Sequence, residues 1–310
     1  MKRILLLSAY LFALTFSVNA QQSIVYSQYI YNGLLINPAY TGSHVQLSAT
    51  LNYRNQWVNF DGAPQTASLA VHTALNKSKV GVGLLATSDN IGSYSNNSLY
   101  GTYAYRIRGK RDGVFSMGLQ GGFQNFRADF SKLTLKNGQD PTFSGTMSEF
   151  RPNFGAGIFY SSKKFFGGFS VPVILKHTKF FSGGLAQLAQ ARYYYFFLGT
   201  TLKLDRMEKL KLSPSVLIRA QEGTPLNADI NLTLIVHDLV SAGVSYRTEE
   251  SVSTLLNFKL SEKFYFGYSY DWVTADIRRY SNGTHEFMLN YRVRLRGIHR
   301  NVACPSYFSY

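Results

Sequence analysis

The chain has 310 residues and contains 22 tyrosines and 23 phenylalanines, although charged residues make up only 16% of it. Beyond the N-terminus no stretch approaches the roughly 18 uncharged apolar residues of a spanning helix, which excludes a helical membrane protein. The single cysteine, Cys304, excludes an internal disulfide. Strand-forming aromatics without a charged surface are typical of a β-protein that faces lipid. The formal net charge of +15 then indicates anionic lipid or an acidic protein as partner, rather than nucleic acid.

The segment 1–20 has the pattern of a secretory signal peptide. Lys2 and Arg3 are followed by the apolar run 4–14, and Val18-Asn19-Ala20 places small or compact residues before Gln21. An N-terminal membrane anchor is the alternative, but the run is shorter than the roughly 20 residues that span a bilayer. We therefore predict cleavage after Ala20 and an exported mature chain.

The dominant periodicity of the mature chain is two residues, as expected for strands with one apolar and one polar face. In the run 45–54, for example, valine, leucine, alanine and tyrosine alternate with polar residues. Most runs have about the length at which a tilted strand crosses a membrane, roughly 9–11 residues. Fourteen runs fit this pattern, at about 44–54, 65–75, 79–88, 97–107, 113–126, 153–162, 164–175, 191–203, 209–219, 226–236, 240–248, 252–260, 263–272 and 283–296.

Loop length alternates along the chain, with tight turns after even-numbered strands and long connections after most odd-numbered ones. The long connections are Asn55–Pro64, Ser88–Asn96, Arg127–Pro152, Lys176–Gln190 and Val273–Asn282, while short links near Glu222 and Glu249 depart from the rule. A soluble β-sandwich is the alternative, and it explains neither the loop pattern nor the uncharged outer faces. The even strand number predicts an outer-membrane protein of a Gram-negative bacterium, with long loops extracellular and both termini periplasmic.

These patterns predict an all-β fold, a transmembrane antiparallel β-barrel of about 14 strands over residues 44–296. Lipid cannot satisfy the hydrogen bonds of an open strand edge, so the first strand must pair with the last. That closure places Arg54 and Glu286 on the lumen face at the same end of the barrel. We expect the two side chains to form an ion pair.

Residues 21–43 do not alternate, and they are predicted to form an N-terminal periplasmic or plug segment. Ser27–Ile36 fits a short helix with Ser27 as its N-cap, ended by Asn37-Pro38 because a residue before proline avoids the helical region. A plain lead-in to the first strand is the alternative. The tail 297–310 follows the last strand, and its sequence fits either a periplasmic extension or an assembly signal.

The sequence offers no convergent group of catalytic or metal-binding residues, so we predict no enzyme activity, no cofactor and no metal. The glycines from Gly118 to Gly122 lie within a predicted strand, where glycine serves close packing or bending rather than nucleotide binding. Arg292, Arg294 and Arg296 make the lumen basic near the last strand. They fit either an anion-selective channel or a site that holds a plug or an acidic partner.

Two N-terminal motifs resemble those of the PorP/SprF family, outer-membrane proteins of the type IX secretion system in Bacteroidota. The first covers residues 27–43 and the second residues 53–66. The segments 268–271, 283–287 and 305–308 also fit the family pattern, although Gly33 stands where a proline is common. The matched positions that we select for structure or partner contact, together with Glu286, are Ser27, Gln28, Tyr29, Asn37, Pro38, Tyr40, Gly42, Arg54, Gln56, Trp57, Asp61, Gly62 and Pro64.

The resemblance implies a non-enzymatic role in exporting large adhesins with a type B C-terminal sorting domain and holding them at the cell surface. It also implies type IX secretion components as partners and, in some members, support of gliding motility. Outer-membrane lipid or lipopolysaccharide is the other expected partner. A channel for small solutes remains the alternative function, and it would conduct ions without any partner protein.

Overall fold

A computed structural model describes residues 25–44, 46–75, 79–109, 113–132, 145–180, 187–189, 192–207, 209–222 and 224–295. The predicted signal peptide and the tail 297–310 lie outside this part of the chain. Among the described residues, no helix has the length and apolar character needed to cross a membrane.

Fourteen antiparallel strands form a closed barrel, which confirms the predicted fold and strand number. Each strand pairs with its neighbours in sequence, and the first pairs with the last. Two residues, Leu202–Lys203, extend the eighth strand. The strands are β1 (Leu47–Asn55), β2 (Gln65–Leu75), β3 (Val80–Ile91), β4 (Tyr94–Arg108), β5 (Val114–Asp129), β6 (Thr146–Ser161), β7 (Phe165–Val171), β8 (Tyr193–Thr200), β9 (Leu210–Gln221), β10 (Asn227–Val236), β11 (Val240–Arg247), β12 (Ser251–Lys259), β13 (Phe264–Val273) and β14 (Thr284–Val293).

The two faces of each strand differ as the alternation predicts. On β1, Leu51 and Tyr53 are exposed on the outer surface, whereas Asn52 and Arg54 are buried inside the barrel. Strand side chains alternate between faces, so the same division runs around the whole sheet. The outer surface is therefore apolar and suited to lipid, and the lumen wall is mostly polar.

The two ends of the barrel differ in their connections. We call the end where the odd-numbered strands finish the loop end, and the opposite end, where the even-numbered strands finish, the turn end. The loop-end connection between β7 and β8 contains two short paired strands, Thr178–Phe180 and Gln187–Ala189. Lys176 at the start of that connection pairs with Glu222 after β9, and the hydrogen bond holds the pKa of the Glu222 carboxyl below its ordinary value.

Two predicted long loops are shorter than expected. The prediction of a loop at Ser88–Asn96 is wrong, because β3 and β4 are joined by the two-residue turn Gly92-Ser93. The connection predicted at Arg127–Pro152 is shortened because β5 reaches Asp129 and β6 begins at Thr146. These strand ends carry polar residues on both faces, so hydrophobic alternation fades there although the backbone pairing continues.

The N-terminal segment 25–44, which we call the plug, lies inside the lumen. The predicted helix over Ser27–Ile36 is wrong, since the plug forms three short 3-10 turns, Gln28–Ile30, Gly33–Leu35 and Pro38–Tyr40. Ser27 makes no side-chain cap, while the Asn37 side chain accepts a hydrogen bond from the Ala39 N–H at 2.9 Å. The backbone turns at Asn32 (φ −132°, ψ 71°) and Asn37 (φ −145°, ψ 115°), which prevents one continuous helix.

The plug runs along the lumen from the loop end to the turn end. Ser27 contacts Arg54 and Asp271 near the loop end, whereas Gly42 lies beside Gly81 at the turn end. The even strand number alone predicts both chain ends on one side of the membrane. In the described chain Val25 instead lies near the loop end, and the last strand finishes at the turn end.

Candidate functional site: the lumen plug and its anchor

The start of the plug is held by a carboxylate at the seam between β1 and β14. Glu286 accepts hydrogen bonds from the backbone N–H groups of Ser27 at 2.7 Å and Gln28 at 3.2 Å. Its carboxylate also lies 3.0 Å from the Arg54 guanidinium, and the two residues are register partners. The predicted Arg54–Glu286 pair is thus confirmed, and it joins the barrel seam to the plug.

A second carboxylate, Asp271 on β13, completes the anchor. Asp271 lies 2.7 Å from the Arg54 guanidinium and accepts a hydrogen bond from the Ser27 hydroxyl at 2.9 Å. Arg54, Asp271 and Glu286 are all almost completely buried. Buried charges are tolerated only when they are paired and hydrogen-bonded, so the plug supplies donors that this site needs.

The ion-pair network continues along the loop end of the barrel from β13 to β9. Arg247 lies 3.2 Å from Asp229, which also pairs with Arg219 at 3.1 Å. Glu250 lies 3.4 Å from Arg247, and a guanidinium nitrogen of Arg247 reaches the Tyr26 carbonyl at 3.5 Å. None of these residues was predicted from the sequence as a site residue, and neither was Asp271, although it lies within the family-like segment 268–271. What these residues share in the sequence is a charged side chain at a lumen-facing position near the loop end of its strand. That feature could have identified them.

The first half of the plug also packs on an apolar patch of the lumen wall. Tyr26, Tyr29, Ile30 and Tyr31 are buried in one cluster with residues from four strands. Burying each such side chain contributes about 1.5–3 kcal/mol. On each of these strands the wall residue is an apolar position on a lumen face that is otherwise polar. This break in the pattern could have indicated the contact from the sequence. The wall residues are Leu217, Ile235, Leu255 and Met288.

Tyr29 combines both kinds of contact, and its substitutions separate them. Its hydroxyl accepts a hydrogen bond from Asn231 at 2.7 Å, and its ring packs edge-on against Phe197 at 5.8 Å. We expect Tyr29→Phe to lower the free energy of unfolding by about 1 kcal/mol and Tyr29→Ala to lower it by about 3–5 kcal/mol. Urea titration of the purified barrel, followed by the folded and unfolded gel bands, measures both values. Tyr280→Phe, at an exposed ring, should have no effect; equal losses at both positions would contradict the assignment.

The second half of the plug is fixed to β3, β4 and β6. The Asn37 amide donates to the Ile158 carbonyl at 2.9 Å, and the Tyr40 ring packs against Phe159 at 5.5 Å between centroids. Gly42 has φ +74°, and a side chain there would also approach the Gly81 Cα at 2.7 Å. Arg106 donates a hydrogen bond to the Gly42 carbonyl. These motif residues therefore fix the plug where it leaves the lumen.

Gly118 on β5 confirms the prediction that this glycine serves close packing. A Cβ atom there would overlap the backbone of Pro38 and Ala39, so only glycine lets the plug approach this wall. We expect Gly118→Ala to lower the free energy of unfolding by about 1–3 kcal/mol through overpacking. The matched control is Gly101→Ala on β4, where the nearest atom to the new Cβ is 3.8 Å away. Equal urea midpoints for the two variants would show that the plug does not press against β5.

The second sequence motif lies apart from the plug, in the ordered loop between β1 and β2. The Gln56 N–H donates to the Pro64 carbonyl at 3.0 Å, and the Trp57 N–H donates to the Thr284 hydroxyl at 3.1 Å. The Gly62 carbonyl accepts from the Gly92 N–H at 3.0 Å, while Asp61 is exposed. These residues tie three loop-end connections together. Only Arg54, just before this loop, belongs to the plug anchor.

The position of the plug fits two roles: it occludes the lumen, and it attaches the N-terminal segment to the barrel wall. Plug residues contact strands on opposite sides of the lumen, and the plug also makes hydrogen bonds to the barrel at both ends. Among the described residues, no three His, Cys, Asp or Glu side chains are placed to hold a metal ion.

Comparison with known families decides the identity of the chain. The model for the family described as "Type IX secretion system membrane protein PorP/SprF" matches residues 18–291. The chain belongs to the PorP/SprF family. It is therefore an outer-membrane component of type IX secretion, and the resemblance inferred from the sequence motifs is confirmed.

Comparison with solved structures finds similar proteins at low sequence identity. The "CymD monoaromatic hydrocarbon channel" is 10% identical, with 89% of this PorP/SprF chain and 94% of that chain covered, at a TM-score of 0.50. Omp33 from Acinetobacter baumannii is also 10% identical, with 81% and 99% covered and a TM-score of 0.41. BamA from Haemophilus ducreyi, lacking POTRA domains 1–3, is 8% identical, with 80% and 70% covered and a TM-score of 0.43. No curated protein gives a significant match.

Proposed function

We propose that this PorP/SprF protein is a plugged, non-enzymatic outer-membrane partner of type IX secretion. In this proposal it binds secreted adhesins or other cargo with a type B C-terminal sorting domain, helps export them, and anchors them at the cell surface. Support of gliding motility would follow where the anchored cargo is a motility adhesin. The observation that carries the proposal is the filled lumen, because a plug fixed at both ends suits an anchor better than an open pore.

The loop end is the face that we propose for cargo binding. It carries the longer connections, and its β1–β2 loop is ordered by contacts to two neighbouring connections. We place this end outside the cell and the turn end in the periplasm, facing the rest of the secretion system. The motif residues then act by holding the plug and shaping the loop surface.

Affinity purification from outer membranes, followed by mass spectrometry, tests the proposal. We expect a secreted protein with a C-terminal β-domain to co-purify with the barrel and to be absent from the cell surface when the barrel is deleted. The variant Asp61→Lys changes an exposed carboxylate on the β1–β2 loop and should reduce cargo recovery. Lys164→Glu, at the turn end, should leave it unchanged.

A channel for small solutes is the second candidate, favoured by the buried Arg292 on the lumen face of β14. Recovery of the barrel alone, together with steady ion conductance of the purified protein, would overturn the anchoring proposal and support the channel.

A further inference from the structure

The turn end carries a ring of exposed cations. The β8–β9 turn contributes two of them, and the other five lie at four further turn-end connections and just after β14. Within the described part of the chain, none of the seven has an acidic partner. They are Lys79, Arg108, Lys164, Arg206, Lys209, Lys263 and Arg294.

The acidic side chains described at this end do not neutralise the ring. Asp238 is paired with Lys211 at 2.7 Å, and Glu262 is paired with Lys259 at 3.1 Å. Asp205 accepts a hydrogen bond from the Leu210 N–H at 2.9 Å. At the loop end, by contrast, acidic and basic groups are combined in the buried network of the plug anchor. Among the described residues, the seven cations of the turn end thus have no acidic partners.

Exposed apolar side chains lie on three turns of the same end, and two of these turns also carry ring cations. The exposed fractions are 52% for Leu204, 71% for Met207, 51% for Leu239 and 64% for Leu260. Such neighbours are typical of a membrane interface, where apolar groups enter the acyl region and Lys or Arg extends to the phosphate level. An acidic soluble partner would satisfy the cations but would leave these apolar side chains unexplained.

We propose that the turn end is a binding ring for the phosphodiester head groups of anionic glycerophospholipids. The lipids would surround the barrel, with acyl chains against the exposed leucines and Met207, and head groups against the cations. This inference depends on the fold and the charge distribution, and it holds whether or not the barrel binds adhesins.

Thermal unfolding in lipid nanodiscs tests the ring. We compare the full-length mature protein in phosphatidylcholine nanodiscs with the same protein in nanodiscs containing phosphatidylglycerol. We expect the unfolding midpoint to be higher with phosphatidylglycerol at about 0.1 M NaCl, and the difference to disappear at about 1 M NaCl because the charges are screened. No difference between the lipids would overturn the proposal.

Two triple variants with the same net charge locate the effect. The ring variant Arg206→Gln/Lys209→Gln/Lys263→Gln should lose the phosphatidylglycerol-dependent rise and keep the wild-type midpoint in phosphatidylcholine. The control Arg127→Gln/Arg278→Gln/Arg279→Gln changes exposed loop-end cations and should keep the rise. An equal loss in both variants would overturn the proposal, because it would show a nonspecific response to net charge.

Two further arms identify the source of the anion. If lipid A raises the midpoint and phosphatidylglycerol does not, the glycerophospholipid assignment is wrong. If polyglutamate raises the midpoint through the same three residues and neither lipid does, the ring binds an acidic protein and the proposal is overturned.

Discussion

Replacing Glu286 with glutamine is expected to lower the free energy of unfolding by about 3–5 kcal/mol, the usual cost of breaking a buried ion pair. Arg54 would keep Asp271 but lose its second carboxylate, and the N–H groups of Ser27 and Gln28 would lose a charged acceptor. Urea titration of the purified barrel, read from the folded and unfolded gel bands, gives the change.

Two further variants separate the seam from the plug. Asp276→Asn removes an exposed carboxylate at the same end, and we expect it to leave the urea midpoint unchanged. The double exchange Arg54→Glu/Glu286→Arg restores opposite charges across the seam, but it sets a carboxylate at position 54 beside Asp271 and leaves Ser27 and Gln28 without their acceptor. It should therefore remain destabilised. If the exchange fully restored the wild-type urea midpoint, Glu286 would stabilise only the seam and not the plug.

Deleting residues 25–41 is expected to convert an electrically silent barrel into one with steady conductance in a planar bilayer. The deletion removes the side chains that fill the lumen between the walls of β2, β6, β9 and β14. It also exposes the wall residues Leu217 and Leu255 to water, so the barrel should be less stable as well. Wild-type protein that conducts as much as the deletion variant would contradict the occlusion of the lumen.

A disulfide tests the same point without relying on the deletion variant to fold. The Asn32 amide nitrogen lies 3.0 Å from the Asn52 amide oxygen, which joins the plug to β1. We expect the double variant Asn32→Cys/Asn52→Cys to stay silent when oxidised, even in mild urea, and to open more readily after reduction. The single variant Asn52→Cys should not respond to the reductant. If the oxidised double variant conducts ions, the conducting path does not depend on removal of the plug from the lumen.

The strand pattern was predictable because lipid and lumen impose opposite polarity on alternating residues. The neighbouring residues Leu51 and Asn52 of β1 show this, since one faces lipid and the other faces the lumen. The requirement that the first strand pairs with the last then placed Arg54 opposite Glu286. The same reasoning failed at Ser88–Asn96, where the strands run on with polar residues on both faces. Where a strand is in contact with water on both faces, its residues do not alternate between apolar and polar, so the sequence does not reveal the strand.

The conformation of the plug was not predictable, because it depends on partners far away in sequence. Ser27 fits a helix N-cap when only its neighbours are considered, yet its hydroxyl and N–H bind Asp271 and Glu286. Met288 and Leu217 lie on strand faces that are otherwise polar, and these apolar exceptions gained meaning only once the plug was seen against them. Family motifs pointed to the plug residues, but not to what they touch.

The anchor at Glu286 has a consequence for the order of folding. The N–H group of Ser27 and its acceptor on Glu286 are separated by 259 positions in the chain. The folding chain therefore cannot form this contact until its last strand is in place, and closing so long a loop is slow. A truncated chain that lacks β14 would leave Arg54 without Glu286 and the plug without its first acceptor. Closure of the barrel and sealing of the lumen are thereby coupled in a single late step of folding.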